Sequence, residues 1–298
     1  MIKSVKVTNN HGESLRMELK NPTSTGFIIG NIGGISPGES ELNISDYSVS
    51  DGGYLVNARK STRNITITIL FADFVEESIE ELRHKLYKYF PLKKRVGLTF
   101  ESDRRTTVID GFVETVDSNI FSSTEGAEIS IVCENPWFRS EYETAVPFNS
   151  ILSRFKFPFS NESITEKLII MSELENIEGK TIDYNGEIPT GITVRILVHN
   201  SFTKIVLFND LTDEKITIDG TKLPTLLDGD TIEITTYSGN KKAYLYRADT
   251  IIANILNAVV YDTDWITIEQ GTNAISYQVT GDDTAELEIK YTNLYSGV

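Results

Sequence analysis

Several things are scarce in this 298-residue chain, and each scarcity removes a class of explanation. A single cysteine, Cys133, excludes an internal disulfide framework and a multi-thiolate zinc site. Stability must then come from packing and from assembly, as suits synthesis in a reducing cytosol. Only three histidines occur, His11, His84 and His199, in separate parts of the chain and without metal-ligand spacing. Surface or structural roles are the simpler reading for all three. No apolar run approaches the roughly 18 residues of a membrane-spanning helix, and Met1–Val7 alternates like a strand rather than like a signal peptide. The chain is expected to be neither embedded in a membrane nor exported by such a signal. Basic residues are also in deficit, 28 Lys and Arg against 43 Asp and Glu, a formal net charge of −15. Phosphate contacts require clustered cations, so general nucleic-acid binding is not expected.

What is present reads as a folded, mainly β protein. Hydrophobic residues make up 40% and charged residues 24%, within the range of globular chains, and the length predicts two domains. Ile65–Phe71 alternates apolar residues with Thr at period two, as a strand with one buried face requires. Val75, Ile79, Leu82, Leu86 and Tyr89 or Phe90 then recur at helical spacing. Asp73, with Glu76 three residues on, is the expected N-cap of a helix of about four turns, and Pro91 closes it. Alternating runs at Val96–Phe100, Thr106–Glu114 and Glu128–Cys133 complete a β-rich domain over residues 1–140 with one packed helix. Prolines and aromatics between Val146 and Phe159 mark a linker at 141–160. Residues 161–298 hold short strand-like runs, among them Lys167–Met171, Gly191–His199, Glu214–Asp219, Lys242–Arg247 and Ala285–Tyr291. Gly- and Asp-rich turns separate them, the pattern of an all-β sandwich. Ile251–Val260 suits a brief helix or a strand. Charge divides with the domains: residues 1–140 carry 16 basic and 19 acidic side chains, and the remainder carries a net −12. The acidic half suits a solvated periphery better than a crowded centre.

Candidate chemistry is sparse. No G-x-S-x-G elbow occurs, and Cys133 lies in an alternating strand where a small buried hydrophobe is the default. Gly30-Asn31-Ile32-Gly33-Gly34 superficially suggests a phosphate loop, but Pro37-Gly38 follows instead of a helix, so a flexible loop is expected. Asp210–Glu214 lacks the ligand spacing of a calcium loop and reads as a solvated turn. Lys93-Lys94-Arg95 and Arg104-Arg105 are either solvated charge beside strands or a subunit contact. Tyr237, Tyr244 and Tyr246, with Trp265, are candidates for an aromatic platform facing a partner or a glycan. The plain alternative is packing, and for Trp265, just before a strand, packing is preferred. No catalytic residue, metal ligand or cofactor site emerges.

The order of features resembles the distal tail (Dit) proteins of siphophages, mostly those of Gram-positive hosts. In the first half the resemblance rests on Asp51-Gly52-Gly53-Tyr54, the basic strand entry Arg59-Lys60-Ser61-Thr62-Arg63, the helix and Glu134-Asn135-Pro136-Trp137-Phe138. In the second it rests on Asp264–Ile275, with a Trp265-x5-Gly271-x-Asn273 pattern, and on the closing Tyr295-Ser296-Gly297-Val298. Glu269-Gln270 before Gly271 depart from the aliphatic residue and proline often found there. The resemblance implies an N-terminal belt domain that forms a homo-hexameric ring and a C-terminal galectin-like sandwich, similar also to carbohydrate-binding modules. It implies a structural virion protein at the tail tip, assembled in the host cytoplasm, and no enzyme. Its ring would join the tail tube protein to the baseplate hub or tail-associated lysin and leave a channel for DNA, with a receptor-binding protein as a further partner. A host-surface carbohydrate-binding tail module is the alternative. The expected subunit-interface residues are Asp51, Gly52, Gly53, Tyr54, Arg59, Lys60, Arg63, Lys93, Lys94 and Arg95. A belt fragment ending near Ser140 is expected to assemble by itself.

Overall fold

The computed structural model describes residues 1–20, 25–72, 77–121, 124–153, 172–176, 179–281 and 285–298. These form two units, one of Met1–Glu141 with Leu294–Val298, the other of Tyr142–Asn293. The closing residues of the chain thus belong to the first unit.

Unit 1 is built on a nine-stranded sheet and one helix. Its strands are β1 (Ile2–Thr8), β2 (Ser14–Glu18), β3 (Phe27–Gly33), β4 (Glu41–Asp46), β5 (Gly53–Arg59), β6 (Arg63–Phe71), β7 (Arg95–Ser102), β8 (Thr106–Asn119), β9 (Gly126–Cys133) and β10 (Phe138–Ser140), with helix α1 (Ile79–Tyr89) between β6 and β7. The main path runs β2-β1-β7-β8-β9-β6-β3, and β10 pairs with β8. In β6, Ile65, Ile67, Ile69 and Phe71 are buried while Asn64, Thr66, Thr68 and Leu70 face outward, as the period-two pattern predicts. Helix α1 lays Leu82, Leu86 and Phe90 into this core. Its N-terminus differs from the expected one. The Ser78 hydroxyl accepts from the Glu81 N–H and the Glu81 carboxylate accepts from the Ser78 N–H at 2.8 Å, a complete capping box. The helix therefore starts at Ile79; Asp73, Val75 and Glu76 lie outside the described residues.

The expected loop at residues 30–34 is also different: most of it is β3, an edge strand paired with β6 and bulged between Ile29 and Asn31. Its glycines allow contact rather than flexibility. A Cβ on Gly33 would meet the Thr66 hydroxyl, and Gly34, at φ +78°, sits against the Asn64 carbonyl. Cys133 is buried at the end of β9, and burial pushes its thiol up to about 12.

Unit 2 is a sandwich of a six-stranded and a four-stranded antiparallel sheet. Its strands are β11 (Thr144–Pro147), β12 (Asn149–Ser153), β13 (Ser172–Asn176), β14 (Gly179–Tyr184), β15 (Thr190–Gly191), β16 (Thr193–Val198), β17 (Lys204–Asn209), β18 (Glu214–Asp219), β19 (Asp230–Thr235), β20 (Lys242–Arg247), β21 (Thr250–Asn254), β22 (Thr267–Ile268), β23 (Gly271–Thr280) and β24 (Glu286–Tyr291). The orders are β11-β24-β16-β19-β20-β21 and β14-β23-β17-β18. Val194, Ile196, Ile232, Ile234, Leu245, Leu287 and Ile289 of one sheet meet Ile182, Ile205, Leu207, Ile216, Ile275 and Tyr277 of the other in one apolar core. Within Ile251–Val260 the chain forms β21 and then one 3-10 turn, Leu256–Ala258. The expected strand Lys167–Met171 lies outside the described residues.

The Trp265…Gly271-x-Asn273 pattern is a structural closure of this sandwich. Asn273 is fully buried; its amide donates to the Glu269 and Gly271 carbonyls at 2.8 and 3.2 Å, and its oxygen accepts from the Glu269 N–H at 3.1 Å. Gly271 adopts φ +104°, a conformation that side chains rarely reach. Trp265 packs partly buried against the core, with the Lys241 ammonium 5.3 Å from its ring centre.

Candidate functional site

One element of unit 1 takes no part in the nine-stranded sheet. Strands β4 and β5 pair only with each other, in register from Glu41 opposite Arg59 to Asp46 opposite Gly53. Every residue of β5 is exposed. Paired residues share a face, so Leu42, Ile44, Leu55 and Ala58 line one side of the ribbon, while Glu41, Arg59, Asn43, Asn57 and Ser45 line the other. The polar side is internally satisfied: Arg59 Nε donates to Glu41 at 2.7 Å, and the Ser61 hydroxyl donates to the same carboxylate at 2.6 Å. The apolar side is not covered. Leu42, Ile44 and Leu55 are 60%, 59% and 56% exposed, Val49 stands exposed in the turn, and Tyr54, opposite Ser45, is exposed on the other side. A two-stranded ribbon is marginal in water alone, and a contiguous exposed apolar strip of this kind marks a contact surface.

The tip explains its own glycines. Gly52 adopts φ +93°, and a Cβ on Gly53 would lie 2.7 Å from the Ser45 carbonyl oxygen. Beside them the Tyr47 and Tyr54 rings pack 5.7 Å apart. Asp51 is exposed in the turn.

The root of the ribbon is held by Arg63. This side chain is 6% exposed and has no carboxylate partner among the described residues; its guanidinium donates instead to four carbonyls. Nε reaches Pro136 at 2.7 Å, Nη1 reaches Gly34 and Ser36 at 2.6 Å each, and Nη2 reaches Ser296 at 2.7 Å. The Phe138 ring lies 4.7 Å from its central carbon. Burial lowers the Arg63 pKa, but an arginine stays protonated at neutral pH. Three separate stretches therefore converge on one cation: the Gly34–Ser36 turn, Pro136–Phe138, and the closing Tyr295–Val298. Strand β25 (Leu294–Tyr295) pairs with β10, the Arg105 guanidinium stacks 4.2 Å from the Tyr295 ring, and the Val298 N–H donates to the Ile35 carbonyl. A five-donor planar fork is the side chain that can satisfy such a set of diverging acceptors.

The expected interface residues thus separate into groups. Asp51, Gly52, Gly53 and Tyr54 form the exposed ribbon tip. Arg59 is exposed but paired across the ribbon, and Lys60 lies 5.2 Å over the Trp137 ring with its pKa lowered by desolvation. Arg63 corrects the expectation of a surface cation: it is an internal clamp, because four backbone carbonyls compete successfully for it. Lys93, Lys94 and Arg95 form an exposed turn into β7, with Lys93 at φ 61°. Beside that turn a cavity of about 170 Å³ is lined by Arg95, Asp110, Phe112, Glu134, Trp137 and Arg139 among others. One Asp110 oxygen accepts from Arg139 at 3.0 Å and from Arg95 at 3.4 Å.

In unit 2, Tyr244 and Tyr246 stand on the outer face of the six-stranded sheet, edge to face at 6.4 Å. Arg195 and Glu233, paired at 2.9 Å, lie beside them across β16 and β19. Tyr237 does not join this face: its hydroxyl is enclosed, and burial raises its pKa. Among the described residues no group of His, Cys, Asp and Glu could hold a metal, and no helix is long and apolar enough to cross a membrane.

The architecture is thus a β-rich unit with one helix and a free ribbon, and a β-sandwich unit. Residues 185–295 match the family described as siphovirus-type tail component, C-terminal domain. The fold is similar to that of the crystal structure of SPP1 Dit, a hub protein of the adsorption apparatus of Gram-positive-infecting phages, at TM-score 0.63 and 12% identity, covering 98% of this chain and 99% of that one. It is also similar to a chain of the phage P2 baseplate in its calcium-activated conformation, at TM-score 0.50 and 15% identity, covering 97% and 98%. No curated protein sequence matches. The family match thus covers most of unit 2, and the likeness of fold extends over the whole chain.

Proposed function

We propose that this chain is the distal tail protein of a siphophage. Six copies form a ring through unit 1, the ring joins the last tail-tube ring to the baseplate hub or tail-associated lysin, and its centre leaves a channel for DNA. The chain acts in the virion at the tail tip, after assembly in the host cytoplasm. The observation that carries this reading is the β4–β5 ribbon, an exposed amphipathic element with one apolar face that its own chain does not cover. The nearly balanced charge of residues 1–140 lets copies approach, while the net −12 of the remainder keeps that part apart and solvated. The role has no chemical step. Turnover of cell-wall polymers that survived purification and vanished on replacing one Asp or Glu would overturn it.

Mass-resolved light scattering and negative-stain imaging of the full chain test the ring. Closed rings at micromolar concentration support it, and a monomer at every concentration and salt would count against it. Replacing Leu42, Ile44 and Leu55 together by Ser should convert the ring to monomer with a change in monomer stability within about 0.5 kcal/mol, since exposed positions contribute little to folding.

The Tyr244–Tyr246 pair favours a second reading, in which unit 2 grips host-surface carbohydrate. Saturable glycan binding by the full chain, lost in Tyr244→Ala, supports it.

A further inference from the structure

Ribbon tip and basic cavity lie at opposite ends of the same element. The cavity beside Arg95 is walled by Trp137, and the face of Trp137 carries Lys60, which directly follows the last residue of β5. It therefore sits at the ribbon's root. Six paired positions at about 3.4 Å each place the tip roughly 20 Å away, so one chain cannot insert its tip into its own cavity.

The two ends complement each other. The tip presents the carboxylates of Asp46 and Asp51, the 96% exposed Val49 and the paired rings of Tyr47 and Tyr54. The cavity presents two guanidiniums that share one oxygen of Asp110, so most of their N–H donors remain to spare. The Glu134 carboxylate stands in the same lining, and Lys93 and Lys94 flank Arg95 in sequence. Trp137 and the 38% exposed Phe112 supply apolar walls, and Leu92, 55% exposed, stands in the turn that leads to Arg95. Lys93 and Lys94 in that turn have no carboxylate partner among the described residues. In a chain of net charge −15, this is where spare cationic donors and exposed apolar rings occur together.

Resting on the ring reading above, we propose that residues 46–53 of one copy seat in the Arg95–Phe112–Trp137–Arg139 cavity of a second copy, with Asp51 meeting Arg95. The contact is head-to-tail: each copy gives a tip and receives one, so repetition closes a ring when the rotation between copies divides the circle. Arg59 and Lys60 then act by shaping the root rather than by reaching a neighbour.

A charge-exchange series on the full chain, read by native mass spectrometry and light scattering, tests this. Asp51→Arg and Arg95→Asp should each weaken assembly by about tenfold or more, and the double variant should recover most of it, since desolvated interfacial charge pairs are strongly coupled. In a second arm, Ser50→Cys with Glu134→Cys should give a disulfide between copies under mild oxidation, with neither single variant doing so; the native Cys133 is buried and does not interfere. If the wild-type chain forms rings but both single charge variants assemble normally and no inter-copy disulfide appears, the cavity is not the receptor, whereas the ring reading stands. A wild-type chain that stays monomeric throughout overturns the ring reading and this inference with it.

Discussion

Among the described residues unit 1 exposes more large apolar side chains than unit 2, and it also distributes them differently. In unit 1, Leu42, Ile44, Tyr47, Val49, Tyr54, Leu55 and Val56 crowd into one ribbon. In unit 2, Leu211, Leu227, Ile251, Ile252, Leu256 and Tyr261 are spread over several turns and an edge strand. Scattered apolar side chains are ordinary on any surface, whereas a contiguous strip costs free energy until something covers it. Charge follows the same division, close to balance over residues 1–140 and net −12 beyond. The comparison teaches that clustering, beyond amount, distinguishes the surface of unit 1 from that of unit 2.

The sharpest way to break the comparison is to unlock unit 1 alone. Replacing Arg63 by Met removes the donor that four carbonyls share, and stranding buried acceptors should cost unit 1 about 3–5 kcal/mol. Arg63→Lys should fail similarly, since an ammonium cannot span diverging carbonyls. Denaturant melts should show an early unit 1 transition, with the unit 2 transition unmoved. Next in size is deletion of Leu294–Val298, which removes β25, the buried Tyr295 and one Arg63 acceptor, for about 2–4 kcal/mol from unit 1. A fragment ending near Ser140 carries the same lesion, and adding residues 294–298 back in trans as a peptide should raise its melting temperature.

Two smaller effects belong to unit 2. Ala248 and Asp249 join β20 to β21 at φ +46° and +61°, a turn that favours Asn-Gly. Ala248→Asn with Asp249→Gly should stabilise unit 2 by about 1 kcal/mol, seen as a higher unit 2 midpoint. The smallest effect concerns His199, whose Nδ1 lies 2.8 Å from Asp228 and whose Nε2 lies 3.5 Å from Glu286. The Asp228 hydrogen bond, foremost, raises its pKa. A raised folded pKa contributes stability that is complete below the unfolded value, near 6.5, and is lost as pH rises through the folded value. Unit 2 should thus lose a little stability from pH 6 to 8, and His199→Gln should flatten that slope. A histidine titration by NMR with a midpoint at or below 6.5 would refute the assignment.

Much of the framework was legible because it depends on local periodicity. The buried faces of Ile65–Phe71 and Lys242–Arg247 follow from alternation alone; the second strand has the expected bounds and the first begins two residues earlier, at Arg63. What was misread depends on distant partners. Gly30–Gly34 looks like a loop because glycine is rare in strands, yet Gly33 and Gly34 approach Thr66 and Asn64 too closely for a side chain. Arg63 looks like one more surface cation in a basic stretch, and only the convergence of residues 34, 36, 136 and 296 in space makes it internal. The helix start was misread because apolar spacing continues back to Val75, whereas the capping box that sets it is Ser78–Glu81. At the candidate site, Asp51–Tyr54 could be read as a turn from its glycines. That the ribbon would stand alone could not, because period-two patterning says that a face is buried without saying by which chain.

The position of Leu294–Val298 in unit 1 also sets a clock. These residues leave the ribosome only after all of Tyr142–Asn293, which at about 5–20 residues per second means a delay of roughly 8–30 s. Throughout that interval Arg63 lacks the Ser296 carbonyl, and β10 lacks its partner β25. A nascent chain that has not yet reached these residues therefore carries an unfinished first unit, and unit 1 is sealed only after the whole of unit 2 has been made.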